Sequence, residues 1–431
     1  MLRSKRHSDD FDFIETEFGR IPRDWDLSKL SDIAQVIVSN VDKKVEENEL
    51  PVYLCNYLDV YQNESITSNL NFMLGSATAA EIAKFSLSCG DVLITKDSET
   101  AEDIASAAVL ADEIQNLICG YHLAILRPDK ERMDSYFLAK TLQHHRVHNQ
   151  FVTKANGVTR YGLTLSVINN AKIPVPPLIE QAEIAKILST WDRAIEQVQR
   201  LIEAKQRQKK GLMQGLLTGK LRFPEFGEPS CNKAIPDDWK LYKLSQVAHI
   251  INGGTPSRKI PQYWGGNIPW IAVGDFSEVD RFISDTKEKI TELGFRESST
   301  NLLKTGELII SARGTVGAVA QLTKPMAFNQ TSYGLRANTK LALNDFLFYL
   351  LRQFNHKITD ISHGAIFDTI TRDTFDYIEL PFPNLHEQRK IADVLGKMDA
   401  QIDQLKKHLE KLLEQKKGLM QKLLTGEIRV K

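Results

Sequence analysis

The stretch KKGLMQGLLTGKLRF, residues Lys209–Phe223, returns almost unchanged as KKGLMQKLLTGEIRV at Lys416–Val430. Its glycines resemble part of a nucleotide-binding loop, but that loop requires G-x-x-x-x-G-K-[S/T], with a hydroxyl that reaches the magnesium ion. Here Gly215 and Gly219 are one residue too close together, and Leu221 replaces the hydroxyl. The phrase is therefore not a phosphate-binding loop, and its repetition needs another cause.

The repeated phrase ends a longer internal repeat. IPVPPLIEQAEIAKILSTWDRAIEQ, from Ile173, aligns with LPFPNLHEQRKIADVLGKMDAQIDQ, from Leu380, at a constant offset of 207 residues. IPRDWDLSKLSDIAQVI, from Ile21, matches IPDDWKLYKLSQVAHII, from Ile235, at an offset of 214. Between these anchors only patterns agree: GDVLITKDSET and GELIISARGTV each predict a turn and a buried strand, and SYFLAKTLQH and FLFYLLRQFN each predict a helix. The chain is thus predicted to be a tandem duplication, in which a variable globular part precedes a nearly fixed helix.

Apolar residues in both fixed segments recur in alternating steps of four and three. This heptad pattern predicts a long helix that pairs with another helix, while an ordinary amphipathic helix packed on its own domain is the alternative. Prolines mark the start of each helix, and Gly219 and Gly426 mark its end. The residues predicted to form the pairing seam are Ile184, Leu188, Trp191, Ile195, Val198, Ile202, Ile391, Leu395, Met398, Ile402, Leu405 and Leu409.

The connection between the copies favours one direction for the second helix. About 17 residues separate Thr218 from the second I-P-D-D-W, and even fully extended they could only just return along a helix of about 55 Å. An antiparallel pair needs no return. We therefore expect an α+β fold with two pseudo-repeated globular α/β domains separated by an antiparallel pair of long coiled-coil helices. The predicted boundaries are 1–172 for the first domain, 173–222 for the first spacer helix, 223–379 for the second domain and 380–431 for the second spacer helix.

The composition is that of a soluble globular protein, with 42% hydrophobic and 26% charged residues and a net charge of zero. The N-terminus lacks a secretory pattern and no apolar run approaches about 18 residues, so a cytoplasmic protein without membrane contact is predicted. Scattered cysteines predict neither a disulfide framework nor a zinc site. Residues 193–222 carry eight basic against two acidic side chains, a strip that could face phosphate, an acidic partner or solvent.

The two variable domains, each followed by P-x-P-P/N-L-x-E-Q, a heptad helix and K-K-G-L-M-Q-x-L-L-T-G, resemble the specificity subunit of a type I restriction–modification enzyme over almost the full chain. The resemblance implies two target-recognition domains that each read one half of a split site in double-stranded DNA. It also implies helices that set the gap between the halves and bind modification methyltransferase subunits, two in number. S-adenosylmethionine, ATP and Mg²⁺ are expected on those subunits and on the restriction subunits, with no cofactor in this chain. Because the two domains differ, the site is expected to be asymmetric.

There are two alternatives to this interpretation: a DNA-free coiled-coil adaptor, and a stand-alone nuclease or methyltransferase. The Asn/Asp-Pro-Pro-aromatic motif of adenine methyltransferases is missing from the sequence, as is a glycine-rich cofactor loop. Asp275, Asp285 and Lys287 loosely match a metal-dependent nuclease pattern, but the first copy has no counterpart. His144, His145 and His148 are predicted to lie on an exposed helix face. A non-catalytic subunit is therefore expected.

DNA-reading residues are expected in loops of the variable domains, where Arg and Lys can read guanine and Asn and Gln can read adenine. Trp25 and Trp239 are instead predicted to anchor the domains, and the four lysines Lys209, Lys210, Lys416 and Lys417 to face outward. The candidate DNA-binding residues are Lys96, taken from the strand end that matches Arg313, together with Lys154, Asn156, Arg160, Tyr161, Ser257, Arg258, Lys259, Arg313, Asn329, Gln330 and His363.

Overall fold

A computed structural model describes residues 12–42, 44–230, 234–363 and 369–430, apart from the side chains of residues 361–363. The chain divides into two compact units. Unit 1 consists of residues 1–199 and 408–431, and unit 2 consists of residues 200–407. The two repeated segments form the helices α6 (Leu178–Leu216) and α11 (Leu385–Leu423), each 39 residues long. Both predicted long helices are therefore confirmed, and each contributes to both units.

Unit 1 is a mixed α/β body. Its strands are β1 (Phe13–Thr16), β2 (Gly19–Pro22), β3 (Asp26–Lys29), β4 (Ala34–Val38), β5 (Leu50–Cys55), β6 (Ser65–Ile66), β7 (Met73–Ala77), β8 (Val92–Thr95), β9 (Asp97–Ser98), β10 (Ala107–Leu110), β11 (Leu117–Cys119), β12 (Leu123–Pro128), β13 (Tyr161–Gly162) and β14 (Lys172–Val175). Its helices, besides part of α6 and of α11, are α1 (Tyr57–Tyr61), α2 (Ala79–Phe85), α3 (Ser135–Gln143), α4 (His145–Val152) and α5 (Leu165–Asn169).

Unit 2 follows the same plan. Its strands are β15 (Lys240–Lys243), β16 (Ala248–Asn252), β17 (Trp264–Ile271), β18 (Phe282–Ile283), β19 (Glu288–Ile290), β20 (Leu302–Leu303), β21 (Leu308–Ser311), β22 (Val319–Leu322), β23 (Met326–Phe328), β24 (Ser332–Ala337) and β25 (Glu379–Phe382). Its own helices are α7 (Leu244–Val247), α8 (Glu292–Arg296), α9 (Asn344–Gln353) and α10 (Asn355–His363).

The strand order shows that the duplication extends through the variable parts. A five-stranded sheet runs β4-β12-β8-β10-β6 in unit 1 and β16-β24-β21-β22-β18 in unit 2, with corresponding strands in corresponding places. In both sheets the last pair is parallel and the other pairs are antiparallel. A smaller second sheet has three strands in unit 1, β11-β5-β7, and four in unit 2, β19-β17-β23-β20. The predicted buried strands are β8 and β21, and the predicted apolar helices are α3 and α9.

The fixed helices are part of the domain cores. Ile184 and Leu188, at the start of α6, are fully buried in the main core of unit 1, together with Leu423 and Leu424 from the end of α11. Unit 2 repeats the arrangement with Ile391 and Leu395 from the start of α11 and with Leu216 and Leu217 from the end of α6. The apolar stripe thus packs on its own domain at the start of each helix, where the alternative interpretation of the heptads holds, and on the domain of the other copy at the end. The seam residues between those ends are buried or half-buried, and their mutual pairing stays a prediction.

Within each unit the two helices run in opposite directions. In unit 1, Asp192 of α6 pairs with Lys416 of α11, and Glu180, twelve residues earlier, contacts Arg429, beyond the end of α11. In unit 2, Asp399 of α11 pairs with Lys209 of α6, and Glu387 contacts Arg222. Partner numbers rise along one helix as they fall along the other, so the predicted antiparallel arrangement is confirmed. Each compact unit takes helix segments from both repeats, so the units do not correspond one to one with the predicted domains. The predicted domain boundaries remain an expectation.

Candidate nucleic-acid interface

In unit 2, loops converge on one edge of the five-stranded sheet. β16 ends at Asn252, opposite Tyr333, and β21 ends at Ser311, opposite Ser332, so both strands end where β24 begins. Six of the predicted residues lie in the three loops at this edge, two after strands and one before a strand: Ser257, Arg258, Lys259, Arg313, Asn329 and Gln330. The sheet topology therefore brings together residues that the sequence separates by more than fifty positions.

Arg313 presents an exposed guanidinium at this edge. Its Nε lies 3.4 Å from Thr369 Oγ1, and that hydroxyl donates to the carbonyl of Ala312 at 2.8 Å. The backbone amide of Ile370 also donates to Ala312 O, at 3.1 Å. Thr369 and Ile370 are thus fastened beside Arg313, whose terminal N–H groups retain the planar donor geometry that suits guanine O6 and N7.

Arg258 is held more tightly than a free reading residue would be. Its guanidinium forms a two-pronged ion pair with Glu288, with Nη2 2.7 Å from Oε2, and lies 3.8 Å from the ring centroid of Trp264. The hydrogen bonds that Arg258 donates to Glu288 raise the pKa of Arg258. The neighbouring Ser257 and Lys259 are exposed. We infer that Arg258 shapes the loop, whereas Lys259, which forms no ion pair within the described residues, can reach outward.

The two amide candidates of unit 2 differ in the hydrogen bonds that their side chains already form within the protein. Asn329 Oδ1 accepts from the backbone N of Thr331 at 3.2 Å and from its hydroxyl at 2.8 Å, so this side chain caps its own turn. Gln330 is exposed and is hydrogen-bonded to the Thr255 hydroxyl. His363 is the last residue of α10, and its side chain lies outside the described residues.

Unit 1 presents the corresponding sheet edge with different chemistry. β4 ends at Val38 and β8 ends at Thr95, both next to the start of β12. The short strands β13 and β9 pair Tyr161 with Ser98, which brings the loop 154–161 to the edge that carries Lys96. The sequence-predicted set is therefore brought together in this unit also.

The alignment of Lys96 with Arg313 is wrong by one residue. The backbone N of Leu163 donates to Lys96 O at 2.8 Å, as Ile370 N donates to Ala312 O in unit 2. Lys96 thus corresponds to Ala312, and Asp97 occupies the place of Arg313. Lys96 is also half-buried, and its Nζ lies 2.8 Å from Asp97 Oδ2. Its charge is largely matched by its neighbour.

The remaining candidates of unit 1 fall into two groups. Lys154, Asn156 and Arg160 are exposed, and Asn156 is fixed by a pair of backbone hydrogen bonds with Gly162 at 3.0 and 2.9 Å. Tyr161 is half-buried and packs against the main core, so it serves the loop's anchoring more directly than it serves a ligand.

Sequence reasoning missed an acidic and aromatic cleft of about 400 Å³ at this edge, close to Arg160. Asp97 Oδ2 accepts from His122 Nδ1 at 3.1 Å, and Tyr61 donates to Asp103 Oδ1 at 2.9 Å. Carboxylates can accept hydrogen bonds from the exposed amino groups of cytosine in the major groove. The missed signal was the position of Asp97 directly after a buried strand. The residues that line this acidic and aromatic cleft are Tyr57, Leu58, Tyr61, Asp97, Ser98, Glu99, Asp103, His122 and Arg160.

A four-residue joint fastens the helix ends to unit 1. Arg429 makes paired contacts with Glu180, with Nε 2.7 Å from Oε1 and Nη2 2.8 Å from Oε2, and a second pair with Asp24 at 2.8 and 2.6 Å. The indole of Trp25 donates to Glu180 Oε2 at 3.2 Å. The hydrogen bonds that Arg429 donates to Glu180 raise the pKa of Arg429, and those that it donates to Asp24 lower the pKa of Asp24.

Unit 2 contains the same joint. Arg222 contacts Glu387 at 2.9 and 2.8 Å and Asp238 at 2.9 and 2.7 Å, while Trp239 Nε1 donates to Glu387 Oε2 at 3.2 Å. The two tryptophans are thus confirmed as anchors. The arginines were missed, although each stands three residues after the repeated T-G pair. Arg222 is one of the eight basic residues of the strip at 193–222. Its side chain is only 3% exposed, so it does not belong to a basic surface, and the prediction is wrong for this residue.

A second polar contact lies further along the helices of each unit. In unit 1, Lys416 Nζ lies 2.7 Å from Glu64 Oε1 and 2.5 Å from Asp192 Oδ1, and the buried Lys140 contacts both carboxylates. Burial alone would raise the pKa of Glu64, but the charges of Lys140 and Lys416 outweigh it and hold the pKa at about 2. The four side chains form one compensated network.

The corresponding network of unit 2 uses other residues. Asp399 pairs with Lys209 and accepts from the hydroxyl of Tyr349 at 2.5 Å, and Arg281 Nη1 donates to the same hydroxyl at 2.7 Å. Burial and the bond to Asp399 raise the pKa of Tyr349. The prediction that all four lysines of the repeated phrase face outward is therefore wrong for Lys209 and Lys416. Their aliphatic stems lie along the helix pair while their charges meet an aspartate, and only Lys210 and Lys417 are exposed.

The histidine cluster also differs from expectation. His144 precedes α4 and is 3% exposed, and His148 is half-buried with Nε2 2.7 Å from Ile104 O. Only His145 lies on an exposed face.

In the nuclease-like pattern, Asp275 accepts from the backbone of Ala272 and Lys287, and Asp285 pairs with Lys289 and Lys324. Among the described residues, no group of three or more His, Cys, Asp or Glu side chains could hold a metal ion.

Comparisons with known proteins agree on one family. The sequence profile of the type I restriction modification DNA specificity domain matches twice, at residues 22–206 and 236–415. The MjaVIII type I restriction enzyme specificity subunit of Methanocaldococcus jannaschii is 27% identical over 433 residues, which cover 97% of this chain and 96% of that protein. A provisionally assigned MjaX specificity subunit from the same organism is 29% identical over 424 residues, covering 97% of both chains.

A crystal structure of a type I restriction-modification S subunit from M. genitalium shares the fold, with a TM-score of 0.60 and 17% identity over 93% of this chain and 96% of that one. In the described part of the chain, no helix combines the length and the apolar character needed to cross a membrane. The two profile matches span most of the sequence and coincide with the two structural repeats. The chain therefore belongs to the family of type I restriction–modification DNA specificity subunits, a non-catalytic class of protein.

Proposed function

We propose that this chain reads a bipartite, asymmetric site in double-stranded DNA, with one half-site bound at the loop edge of each unit. The observation that carries the proposal is that two sheets with the same strand order present different side chains at the same edge. Unit 2 places Arg313 after its central strand, whereas unit 1 places Asp97 there. An arginine donates to guanine and a carboxylate accepts from an amino group, so equivalent positions would select different bases.

The reading set within each edge is also proposed. Lys259 and Arg313, which are exposed and form no ion pair within the described part of the chain, are the strongest candidates for direct contact. Arg258 and Asn329 support the loops through Glu288 and Thr331 instead. Phosphate contacts would set the position of each unit on the duplex, and the base contacts would carry the sequence preference.

Specificity subunits of this class work in complexes with methylase and restriction subunits and bind DNA. We further propose that two modification subunits bind the helix pair, because each helix ends in the same phrase and joins the same four-residue joint. S-adenosylmethionine would be bound by those subunits, and ATP and Mg²⁺ by the restriction subunits. The complex would act on cytoplasmic DNA.

Methylation mapping of a host that carries the intact system tests the proposal. The expected result is one split motif whose halves differ, and Arg313→Ala is expected to relax one position in one half only. Lys340→Ala, an exposed lysine of the same unit away from the loop edge, serves as the matched control. A motif that is unchanged by Arg313→Ala removes this residue from the reading set. An assembled complex without sequence preference would instead support the adaptor interpretation.

A further inference from the structure

A basic concave surface of unit 1 adjoins the reading edge at Lys154. This α4 cleft has a volume of about 600 Å³ and lies between helix α4, the β1–β2 hairpin and the start of β14. Among its lining residues, three carry a positive charge, Arg146, Lys154 and Lys172, and Glu17 carries a negative charge. His145 and Asn149, exposed on the same face of α4, add further polar groups.

The cations of the α4 cleft are held in place by the fold. Gln150 of α4 accepts from Lys172 N and donates to Lys172 O, both at 2.9 Å, which fixes the start of β14 against the helix. Arg146 Nη1 donates to Phe18 O at 3.2 Å, and its remaining donors stay available. The contact of Lys172 with Glu17 is long, at 3.8 Å, and the glutamate side chain is 68% exposed, so it neutralises little charge.

An unpartnered polar group adjoins the same surface. His144 is buried, and neither of its ring nitrogens has a hydrogen-bond partner. Its ring lies 5.9 Å from the ring of Phe18 and 4.5 Å from that of His145, and both of these residues line the cleft. A buried imidazole without a partner is uncommon in folded proteins, and this one contacts two of the residues that line the cleft.

We propose that the α4 cleft binds a backbone phosphate of the DNA that flanks the half-site read by unit 1. This inference rests on the proposed function. Lys154 opens the loop 154–161 of the reading edge, and His148 of α4 contacts Ile104 in the segment that leads from Asp103, so the cleft and the edge are continuous. A phosphate satisfies several cationic donors at once and positions the protein without specifying sequence.

The α4 cleft is a property of unit 1. At the position of Lys172, unit 2 has Glu379, at the repeat offset of 207 residues. Lys357 of α10 donates to the backbone of Glu379 at 3.2 Å, which directs that cation onto the protein itself. The two units would therefore hold the DNA backbone differently, and the charge contributed by the cleft would act on one half-site.

The test measures the salt dependence of DNA binding by the full chain in its complex. The variants are Lys154→Gln, Lys172→Gln and Arg146→Gln, and the matched control is Lys130→Gln, an exposed lysine of unit 1 outside the cleft. Two duplexes are used, one with the mapped site and one without it. Each cleft variant that loses a phosphate contact is expected to make the negative slope of log K against log salt shallower by about 0.9. The methylated motif should stay the same.

Three results would overturn the proposal. The first is a salt slope that matches the Lys130→Gln control in the Lys154→Gln and Lys172→Gln variants, which do not disturb the Arg146 contact with the hairpin. The second is an altered motif, which would make the cleft a base-reading surface. The third is weaker assembly with the modification subunits at an unchanged slope, which would assign the cleft to an acidic protein surface. If the unaltered complex shows equal affinity for both duplexes, the proposed function fails, and the slope comparison still judges the cleft.

Discussion

Arg429 is joined to Glu180, 249 positions earlier in the sequence, by two parallel hydrogen bonds of 2.7 and 2.8 Å. The same relationship joins Arg222 to Glu387. In each case the arginine follows the end of one long helix and the glutamate begins the other. The internal repeat therefore has a direct structural meaning, because each copy ends by completing the domain of the opposite copy.

The joints predict that single arginine substitutions act on one unit each. Arg429→Ala leaves Glu180 buried and without its cation, and breaking such a pair typically costs about 3–5 kcal/mol. We expect early opening of unit 1 in native-state hydrogen exchange, with unit 2 protected as before, and the reverse for Arg222→Ala. Arg23→Ala, which removes an ion pair whose two side chains are about two-thirds exposed, is the control and should change little. Equal loss of protection in both units would contradict the assignment.

The inward lysines give a second prediction. Lys416→Met removes the cation that faces both Asp192 and Glu64, whereas Lys417→Met changes an exposed neighbour in the same phrase. Because Asp192 and Glu64 then share the single cation of Lys140 and are only partly buried, we expect Lys416→Met to lower the free energy of unfolding of unit 1 by about 1–2 kcal/mol, less than the loss of a fully buried partner, and Lys417→Met to have little effect. Urea titrations followed by tryptophan fluorescence measure both. Similar urea midpoints for the two variants would show that the Lys416 side chain does not stabilise the fold.

The sequence was sufficient where local pattern decides the structure. Heptad spacing predicted α6 and α11, and the turn and apolar run at Gly90 predicted the buried strand β8. It was insufficient for Lys416, because an isolated lysine in a basic phrase resembles a solvated residue until its partners Asp192 and Glu64, distant in the sequence, are known. Sheet register has the same consequence for Lys96, since a shift of one residue exchanges it with Asp97 at the reading edge.

A third prediction concerns pH. Burial, with the neighbouring charges of His145 and Arg146, lowers the pKa of His144 from 6.5 to about 4. The unfolded chain takes up this proton below about pH 6.5 and the folded chain only near pH 4. The stability that His144 contributes is therefore complete above pH 6.5 and is lost as the pH falls towards 4, by about 3 kcal/mol in all.

His144→Phe is expected to remove that part of the acid sensitivity. Thermal unfolding of unit 1 between pH 7 and pH 4.5 should show a smaller fall in Tm for this variant than for the unaltered chain. His249→Gln, which changes an exposed histidine of unit 2, should follow the unaltered chain. An identical pH profile for His144→Phe would mean that His144 is protonated in the folded state.

The last prediction treats helix length as the functional variable. The contacts of Asp192 and Lys209 divide α6 into anchored ends and a middle of 16 residues, and Asp399 and Lys416 divide α11 in the same way. Four residues inserted before Lys205 lie within that middle, so they leave the joints intact while they lengthen the helix by about 6 Å. DNA rises about 3.4 Å per base pair along a strand, and we expect the gap between half-sites to grow by one or two base pairs.

Methylation mapping of the insertion variant decides this prediction, with the same four residues inserted after the exposed Lys130 as the control. The half-site sequences should be retained in both variants, because the loop edges of the two units are untouched. A fully active insertion variant with its original gap would show that the helices do not set the spacing. Altered half-sites would show that the helices themselves contact bases, since no residue of either loop edge has been changed.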